Sequence, residues 1–240
     1  MPGPVKTQAV VLRSIRYGEA DRILHLYTPQ RGRIGAIAKG VRRTRSRFGG
    51  RLEPFFRLDL VLHEGRGDLL TVTAAETVAG HGRLRADGAA LDCAARACDA
   101  VGRLFDTGEP HPEVFNLLCN ELALLDADPR RATHANQLAF RLKLLLAAGL
   151  APQLAACASC GAREHLAGFS GAAGGVVCTA CEASSFPLDE AAHAFLTGAL
   201  GAPLQATPGA PERALRQAER AIAETLEHHA GVRLRAAAPG

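Results

Sequence analysis

The first 80 residues alternate between apolar and polar positions with the two-residue period of β-strands. The alternation is clearest at residues 54–63, where Leu58, Leu60 and Leu62 share one face. The predicted strands are residues 8–17, 20–28, 33–40, 54–63 and 69–78. Five short strands with closely spaced turns predict a small barrel, for which a five-stranded OB-type barrel is the natural candidate. Strand count alone leaves an SH3-like barrel open.

After residue 80 the apolar positions recur with the period of a helix. The predicted inward face of the first helix is Leu91, Ala94, Cys98, Val101 and Phe105. Helices are predicted at residues 86–106, from Pro112, at 132–148, at 188–200 and from Pro211 to Gly231, with Gly149 and Gly231 as C-terminal caps. We therefore predict an α+β chain with a barrel domain at 1–80 and a helical domain at 81–240, which carries a glycine-rich insertion at 154–185.

Charge is concentrated in residues 39–51, KGVRRTRSRFGGR, which we call the basic segment. It has no acidic residue, and its glycines and hydroxyl residues indicate a loop. Its cationic side chains are Lys39, Arg42, Arg43, Arg45, Arg47 and Arg51. Each contact between such a side chain and a phosphate releases condensed counterions, so the composition favours a nucleic-acid partner over a merely solvated loop or a targeting patch.

The charge of the whole chain is less informative than its distribution. Residues 1–80 carry 14 Lys and Arg against 7 Asp and Glu, whereas residues 81–240 carry 14 against 17. This asymmetry predicts a basic binding module joined to a neutral-to-acidic body. No apolar run is long enough for a bilayer and the N-terminus lacks a secretion signal, so we expect a soluble, cytoplasmic protein. Seven cysteines, an odd count, fit a reducing compartment.

Four of the cysteines form two C-x-x-C pairs, Cys157 with Cys160 and Cys178 with Cys181, separated by seventeen residues. This spacing predicts a zinc ribbon with one structural Zn²⁺, because each pair can present two thiolates to a tetrahedral ion. Four sulfur ligands leave no open position for catalysis. Two redox dithiols are the alternative, disfavoured because no thioredoxin-like context surrounds either pair.

No catalytic constellation emerges from the sequence, and we expect a protein that is not an enzyme. Residues 168–171 (GFSG) are followed by Ala172, which excludes a nucleophile elbow, and residues 63–67 (HEGRG) lack the second histidine of a zinc protease. Glu19 and Asp21 could hold a metal only with a third carboxylate, so structural hydrogen bonding is the expected role.

The assembled motifs closely resemble the RecO family of bacterial recombination mediators. The resemblance rests on YGEADRIL at 17–24, AKGVRR at 38–43, the SRFGG-L-P run at 46–54 and TAAETV at 73–78. It continues through FRLKLLLAAGLAPQLAAC at 140–157 and a diverged tail at 226–236.

The resemblance implies an OB barrel packed on a helical domain with a zinc ribbon, and a role in DNA repair. It further implies binding to single- and double-stranded DNA without sequence preference, annealing of complementary strands, and association with the nucleoid. The implied protein partners are RecR, the C-terminal tail of single-strand-binding protein (SSB), and RecA indirectly, loaded onto SSB-coated strands.

We expect the DNA surface to comprise the cations of the basic segment, with Arg31 and Arg33 on a neighbouring turn and Phe48 stacking on bases. Tyr17 is a second candidate for stacking. An apolar groove around Leu142, Leu145 and Leu146, with Arg141 and Lys143 at its rim, could receive the SSB tail, although these leucines also fit a core.

Three other classes remain open. A zinc-ribbon and OB factor in transcription or translation would bind polymerase or structured RNA. A nuclease would need a carboxylate cluster and a divalent metal. A purely structural subunit would have negligible DNA affinity at moderate salt.

Overall fold

The computed structural model describes residues 3–43, 46, 48–65 and 67–237. The strands are β1 (Val5–Tyr17), β2 (Asp21–Thr28), β3 (Gly32–Ala38), β4 (Arg57–His63), β5 (Leu70–Ala79), β6 (Leu166–Ser170), β7 (Gly175–Cys178) and β8 (Phe186–Pro187). The helices are α1 (Gly82–Ala86), α2 (Gly88–Leu104), α3 (Pro112–Ala127), α4 (His134–Ala147), α5 (Glu190–Gly201) and α6 (Glu212–Ala230).

Strands β1 to β5 close into a barrel in the order β1-β2-β3-β5-β4. Among the described residues of the barrel, β3 and β5 pair in parallel, at Ala36 with Leu70 and Ile37 with Thr71, and the other neighbouring strands are antiparallel. This order and the parallel pairing are those of an OB barrel, which removes the SH3-like alternative.

The barrel interior is filled by the faces that the alternation predicted. Leu58, Leu60 and Leu62 of β4 are buried together with Leu24 and Leu26 of β2. The period of two therefore sets the inside and the outside of each strand, and the charged positions of β4 face outward.

The first compact unit, residues 1–129, contains the barrel and α1 to α3. The predicted helix at 86–106 is interrupted at Asp87, whose side chain accepts a hydrogen bond from the backbone N–H of Ala90 and caps α2. The inclusion of Leu91 in the inward face was wrong, because this side chain is 39% exposed. Small side chains, Ala90 and Ala97, take the inward positions instead.

The second compact unit, residues 130–240, contains α4 to α6 and the three-stranded sheet β7-β6-β8. Thr133 caps α4 by accepting from the N–H of Asn136, and Gly149 and Gly231 end their helices with positive φ angles of 71° and 64°. Leu138, Leu142 and Leu145 are fully buried, as the helical period predicted. Within the described part of the chain, no helix has the length and apolar character that crossing a bilayer requires.

The division at residue 80 and the division at residue 129 describe different things. The first follows the change from strand to helix periodicity, and the second follows backbone proximity, which groups α1 to α3 with the barrel. The domain boundary at 80/81 therefore stays a prediction about how the chain folds.

Candidate nucleic-acid interface and metal centre

The basic segment begins where the barrel's β1–β2 turn holds it. The carboxylate of Asp21 accepts a hydrogen bond of 2.8 Å from the N–H of Gly40, and the carbonyl of Ala20 accepts one of 3.0 Å from the N–H of Arg42. Asp21 therefore has the structural hydrogen-bonding role that the sequence favoured, but toward the basic segment. It positions the first cations at the end of the barrel.

The far end of the basic segment is anchored in the barrel interior. Phe48 and Leu52 are each 1% exposed and belong to the barrel core. Beyond them, Glu53 forms an ion pair of 3.0 Å with Arg22 of β2, which also donates to Ser14 of β1. The segment is therefore bounded by backbone hydrogen bonds at one end and by core packing at the other.

This burial corrects the role predicted for Phe48. An aromatic side chain can stack on a base only if one face is open to solvent, and the Phe48 ring lies inside the barrel. Tyr17, at the end of β1, is 54% exposed and keeps its ring available.

The cations of the basic segment that the structure describes point to solvent. Lys39, Arg42, Arg43 and Arg51 are exposed, whereas Arg45 and Arg47 lie outside the described residues. Backbone hydrogen bonds hold Lys39, Arg42 and Arg43 beside the β1–β2 turn, where their charges give that end of the barrel a positive potential, whereas Arg51 lines a cleft with Thr73 and Glu76 of β5.

Arg31 and Arg33 do not join that surface. They lie at the opposite end of β3, whose seven residues span roughly 20 Å. Arg31 is 2.8 Å from the Glu64 carboxylate, and the Arg33 guanidinium donates to the carbonyl of Gly102. The prediction that Arg31 and Arg33 lie on a turn next to the basic segment is therefore wrong. Both side chains already make contacts within the first compact unit.

The four cysteines of the two C-x-x-C pairs converge in the second compact unit. Their sulfur atoms all lie within 4.8 Å of one another, and the Cys160 and Cys178 sulfurs are 3.7 Å apart. Tetrahedral zinc with Zn–S bonds of ~2.3 Å places its sulfurs about 3.8 Å apart, so the spacing fits such an ion. A disulfide needs ~2.05 Å between its sulfurs, and the four cysteines are free thiols.

Backbone turns bring each pair into position. The N–H of Gly161 donates to the carbonyl of Cys157 at 2.8 Å, with a φ of +78° at Gly161 that suits glycine. The N–H of Cys181 donates to the carbonyl of Cys178 at 2.9 Å, and the hairpin of β6 and β7 brings the two turns together.

The chemistry of the thiols favours a cation. Hydrogen bonds from backbone N–H groups, first that of Cys178 and then those of Cys160 and Ser159, lower the pKa of Cys157 to about 6. Sharing of protons with the Cys160 and Cys178 thiols raises the pKa of Cys181 to about 12. The lowered pKa favours the thiolate form of Cys157, which is the form that binds a divalent ion. His165 is not part of this four-cysteine group.

The structure does not support the groove predicted around α4, because two of its three leucines are buried in the core. Leu142 and Leu145 are fully buried, and Arg141 is engaged by the Glu219 carboxylate at 3.3 Å. Lys143 donates to the carbonyl of Leu200, and burial lowers the pKa of Lys143. Leu146 is 54% exposed, so of the three leucines it alone could meet a partner.

Sequence reasoning missed the residues that position the basic segment and the outer face of the neighbouring strands. Of the positioning residues, Asp21 was assigned a hydrogen-bonding role but not its partner Gly40, and Arg22 and Glu53 were not singled out because their pairing depends on how the strands fold together. The outer face includes Arg13, an exposed cation of β1, whereas the exposed Arg16 alternates with Ile15 and Tyr17 and lies on the opposite face. The order Ile15, Arg16, Tyr17 indicated that Ile15 and Tyr17 share one face of β1. The sequence did not show which residues of the neighbouring strands lie beside that face.

Comparison with known proteins identifies both parts of the chain. Residues 1–81 match the family model described as Recombination protein O N terminal, and residues 85–238 match Recombination protein O C terminal. A DNA repair protein RecO from Anaeromyxobacter dehalogenans (strain 2CP-C) is 41% identical over 242 residues, covering 97% of this chain and 94% of the relative. Proteins of the same name from Rubrobacter xylanophilus and Myxococcus xanthus are 39% and 36% identical, covering 94% and 95% of this chain and 92% and 93% of theirs.

Proposed function

The chain belongs to the RecO family of DNA repair and recombination proteins, and from that membership we propose that it is a DNA-binding recombination mediator that anneals complementary strands. The observation that carries the proposal is the basic segment, whose exposed cations are fixed at one end of an OB barrel by Asp21 and by the buried Phe48.

The basic segment would bind phosphates and leave the bases unread. Lysine and arginine contacts to phosphate release counterions and carry no sequence information, which suits a protein that anneals any complementary pair. Cations on one surface can neutralise phosphates of two strands at once, and this lowers the repulsion that opposes their pairing. The role is non-enzymatic, because binding and charge neutralisation suffice for it.

The salt dependence of binding follows from the number of cations. Four phosphate contacts, from the exposed Lys39, Arg42, Arg43 and Arg51, correspond to a slope of log affinity against log salt of roughly −3 for a single strand. Arg45 and Arg47, if they also bind, bring the slope to roughly −4. We propose Arg31 and Arg33, at the other end of β3, as contacts for a strand long enough to reach past the basic segment.

The four-cysteine site would hold one structural Zn²⁺. Its support is the convergence of four sulfur atoms within 4.8 Å of one another and the all-cysteine donor set. The ion would join the turn at Cys157 to the turn at Cys178, and closed coordination would keep it out of any reaction. The DNA surface is on the barrel, so loss of the ion should leave DNA binding intact.

The protein partners follow from family membership. RecR, the SSB tail and, indirectly, RecA are the partners we propose, with the chain acting on SSB-coated strands at the nucleoid. The SSB tail is acidic with an apolar end and needs a cationic rim beside an apolar contact. Of the three leucines predicted to form the groove, Leu146 is exposed and can contact the tail, whereas Leu142 and Leu145 are buried in the core.

A strand-annealing assay tests the proposal. Two labelled complementary oligonucleotides are mixed with the wild type, with Lys39→Ala/Arg42→Ala/Arg43→Ala, and with Arg83→Ala/Arg103→Ala/Arg213→Ala. The last variant removes the same charge from exposed arginines outside the basic segment. We expect the first variant to anneal at least tenfold more slowly and the control to retain the wild-type rate. Equal rates for all three proteins would overturn the proposal.

A further inference from the structure

The chain turns back along α6 after that helix ends. Gly231 ends α6 with a φ of +64°, and the contacts of the following residues then move from Glu227 to Glu219, toward the start of the helix. Val232 and Leu234 are half-buried, and the residue after each of them is exposed. This alternation is that of an extended chain lying on a surface. We call residues 232–237 the strap.

Two charged side chains of the second compact unit hold the strap by its backbone. The Arg141 guanidinium of α4 donates to the carbonyl of Arg235, and the Glu219 carboxylate of α6 accepts from the N–H of Ala237. The Arg141 side chain is only 7% exposed, and Ala237 is buried. A guanidinium and a carboxylate that meet a carbonyl and an N–H group recognise an extended backbone, whatever side chains it carries.

These two anchors are also paired with each other. The Arg141 guanidinium lies 3.3 Å from the Glu219 carboxylate, and the His134 Nε2 atom lies 3.4 Å from the same carboxylate. The packing of α4 on α6 therefore fixes both anchors with or without the strap. A site that is formed before its ligand arrives loses little entropy of its own on binding.

The charges around the strap favour a basic ligand. Glu227 of α6 forms an ion pair of 3.0 Å with Arg233 of the strap. The positive charge of Arg141 is already met by Glu219. An acidic segment would bring its carboxylates toward Glu219 and Glu227, and like charges oppose that contact.

The strap fills its place incompletely. A cavity of about 150 Å³ is lined by Ile222 and Leu226 of α6 on one side and by Leu234 and Ala236 of the strap on the other. The side chain of Ala236 is a single methyl group, so a longer apolar side chain at this position would bury more apolar surface. The strap is therefore not the tightest ligand that the site can hold.

We propose that α4 and α6 form a binding site for a basic, extended peptide of another protein, and that the strap occupies this site as an internal competitor. The inference goes beyond the proposed DNA-binding function and concerns the second compact unit alone. The seated strap shows the chemistry of the ligand, which has apolar residues at alternate positions and arginine or lysine between them. Its backbone would meet Arg141 and Glu219 as the strap does.

Tethering turns the strap into a gate. A segment joined directly to its site competes at an effective concentration on the order of millimolar. A free peptide with the strap's own sequence therefore binds the intact chain poorly, whereas one with a longer apolar side chain in place of Ala236 competes better. Gly231, whose positive φ suits glycine, is the hinge about which the strap would swing.

The test uses three synthetic peptides labelled for fluorescence anisotropy. The first has the sequence of residues 231–237, GVRLRAA. The second carries Ala236→Leu, which should fill the cavity. The third carries Arg233→Glu/Arg235→Glu and reports whether the site accepts an acidic segment instead.

Three full-length proteins are compared: the wild type, Val232→Ser/Leu234→Ser, which weakens the strap, and the control Leu91→Ser, which changes an exposed leucine of α2. We expect the weakened strap to let the first peptide bind at least about tenfold more tightly than the wild type and the control do. The Ala236→Leu peptide should bind more tightly than the first peptide to every protein, and the acidic peptide should not bind. Equal affinity of the first peptide for all three proteins, or binding of the acidic peptide, would overturn the inference.

Hydrogen exchange in the wild type gives a second measurement that needs no variant. The N–H of Ala237 is held by Glu219, so its exchange, followed by NMR, reports whether the strap stays in place. A millimolar concentration of the Ala236→Leu peptide should accelerate this exchange several-fold, and an unchanged rate would overturn the inference. A wild type that anneals DNA but fails these tests would keep the proposed function and lose the peptide site alone.

Discussion

Removing one sulfur of the four-cysteine site should destabilise the second compact unit and leave the barrel intact. Cys157→Ser is the sharpest change, because Cys157 is 3% exposed and its thiol has the lowered pKa. The matched control is Ser159→Ala, an exposed residue of the same turn that carries no sulfur.

The expected magnitude follows from the segment that the metal closes. Seventeen residues separate Cys160 from Cys178. Treating the metal as a cross-link over that segment gives a loss of about 3 kcal/mol of unfolding free energy, from the loop entropy restored to the unfolded chain. For a compact unit of 111 residues, this lowers the melting temperature by roughly 10 °C.

Other contacts limit the damage to this part of the chain. The His229 ring is 2.8 Å from the carbonyl of Gly171, and the Arg220 guanidinium lies 4.1 Å from the Phe186 ring centroid. These contacts hold the sheet of β6, β7 and β8 to α6 without any metal. We therefore expect a lower melting temperature rather than complete unfolding.

The assay combines metal analysis with calorimetry on the full chain. The wild type and Ser159→Ala should contain about one zinc per chain and melt alike, whereas Cys157→Ser should lose most of its zinc and melt lower. Its affinity for single-stranded DNA should match the wild type at a temperature where both are folded. A Cys157→Ser protein with a full complement of zinc and the wild-type melting temperature would refute the metal assignment.

Three further predictions concern the barrel and the helical unit. Phe48→Ala should lower the unfolding free energy by about 3 to 5 kcal/mol because it empties part of the barrel core, and Phe48→Leu should cost much less in the same urea titration. Arg141→Ala should lower it by about 3 kcal/mol, since Glu219 loses a largely buried partner, while Arg216→Ala, from an exposed pair, should change it little. Because the folded pKa of His25 lies below its ordinary value of 6.5, stability from the neutral ring is complete above about pH 6.5 and is lost as the pH falls through the folded pKa. His25→Gln should flatten that part of the stability profile, and the exposed His63→Gln should keep it; identical profiles for His25→Gln and the wild type would contradict the assignment.

Local patterns predicted the elements well because a period reports which side of an element is apolar. The alternation at Leu58, Leu60 and Leu62 was sufficient to orient β4, and the spacing of the cysteine pairs was sufficient to predict that the four sulfur atoms converge. The first signal lies within five residues and the second within twenty-five, and neither requires knowledge of residues elsewhere in the chain.

The sequence could not supply the register between strands or the direction in which individual side chains point. Phe48 sits among arginines, so composition placed it on the DNA surface, whereas packing turns it into the barrel. Arg31 and Arg33 are close to Lys39 in sequence but are separated from it by the length of β3. The outward row of Ile15, Ile23 and Ile37 depends on which residues of three strands lie side by side, a property of the closed barrel.

The most direct test of the central claim is the salt dependence of binding to a single-stranded oligonucleotide, followed by fluorescence anisotropy. The wild type is compared with Lys39→Ala/Arg42→Ala/Arg43→Ala and with the charge-matched Arg83→Ala/Arg103→Ala/Arg213→Ala. We predict a wild-type slope of roughly −3 to −4, a slope flatter by about 2 in the first variant, and no change in the second. A steep wild-type slope that the first variant leaves unaltered would place the DNA elsewhere and contradict the account.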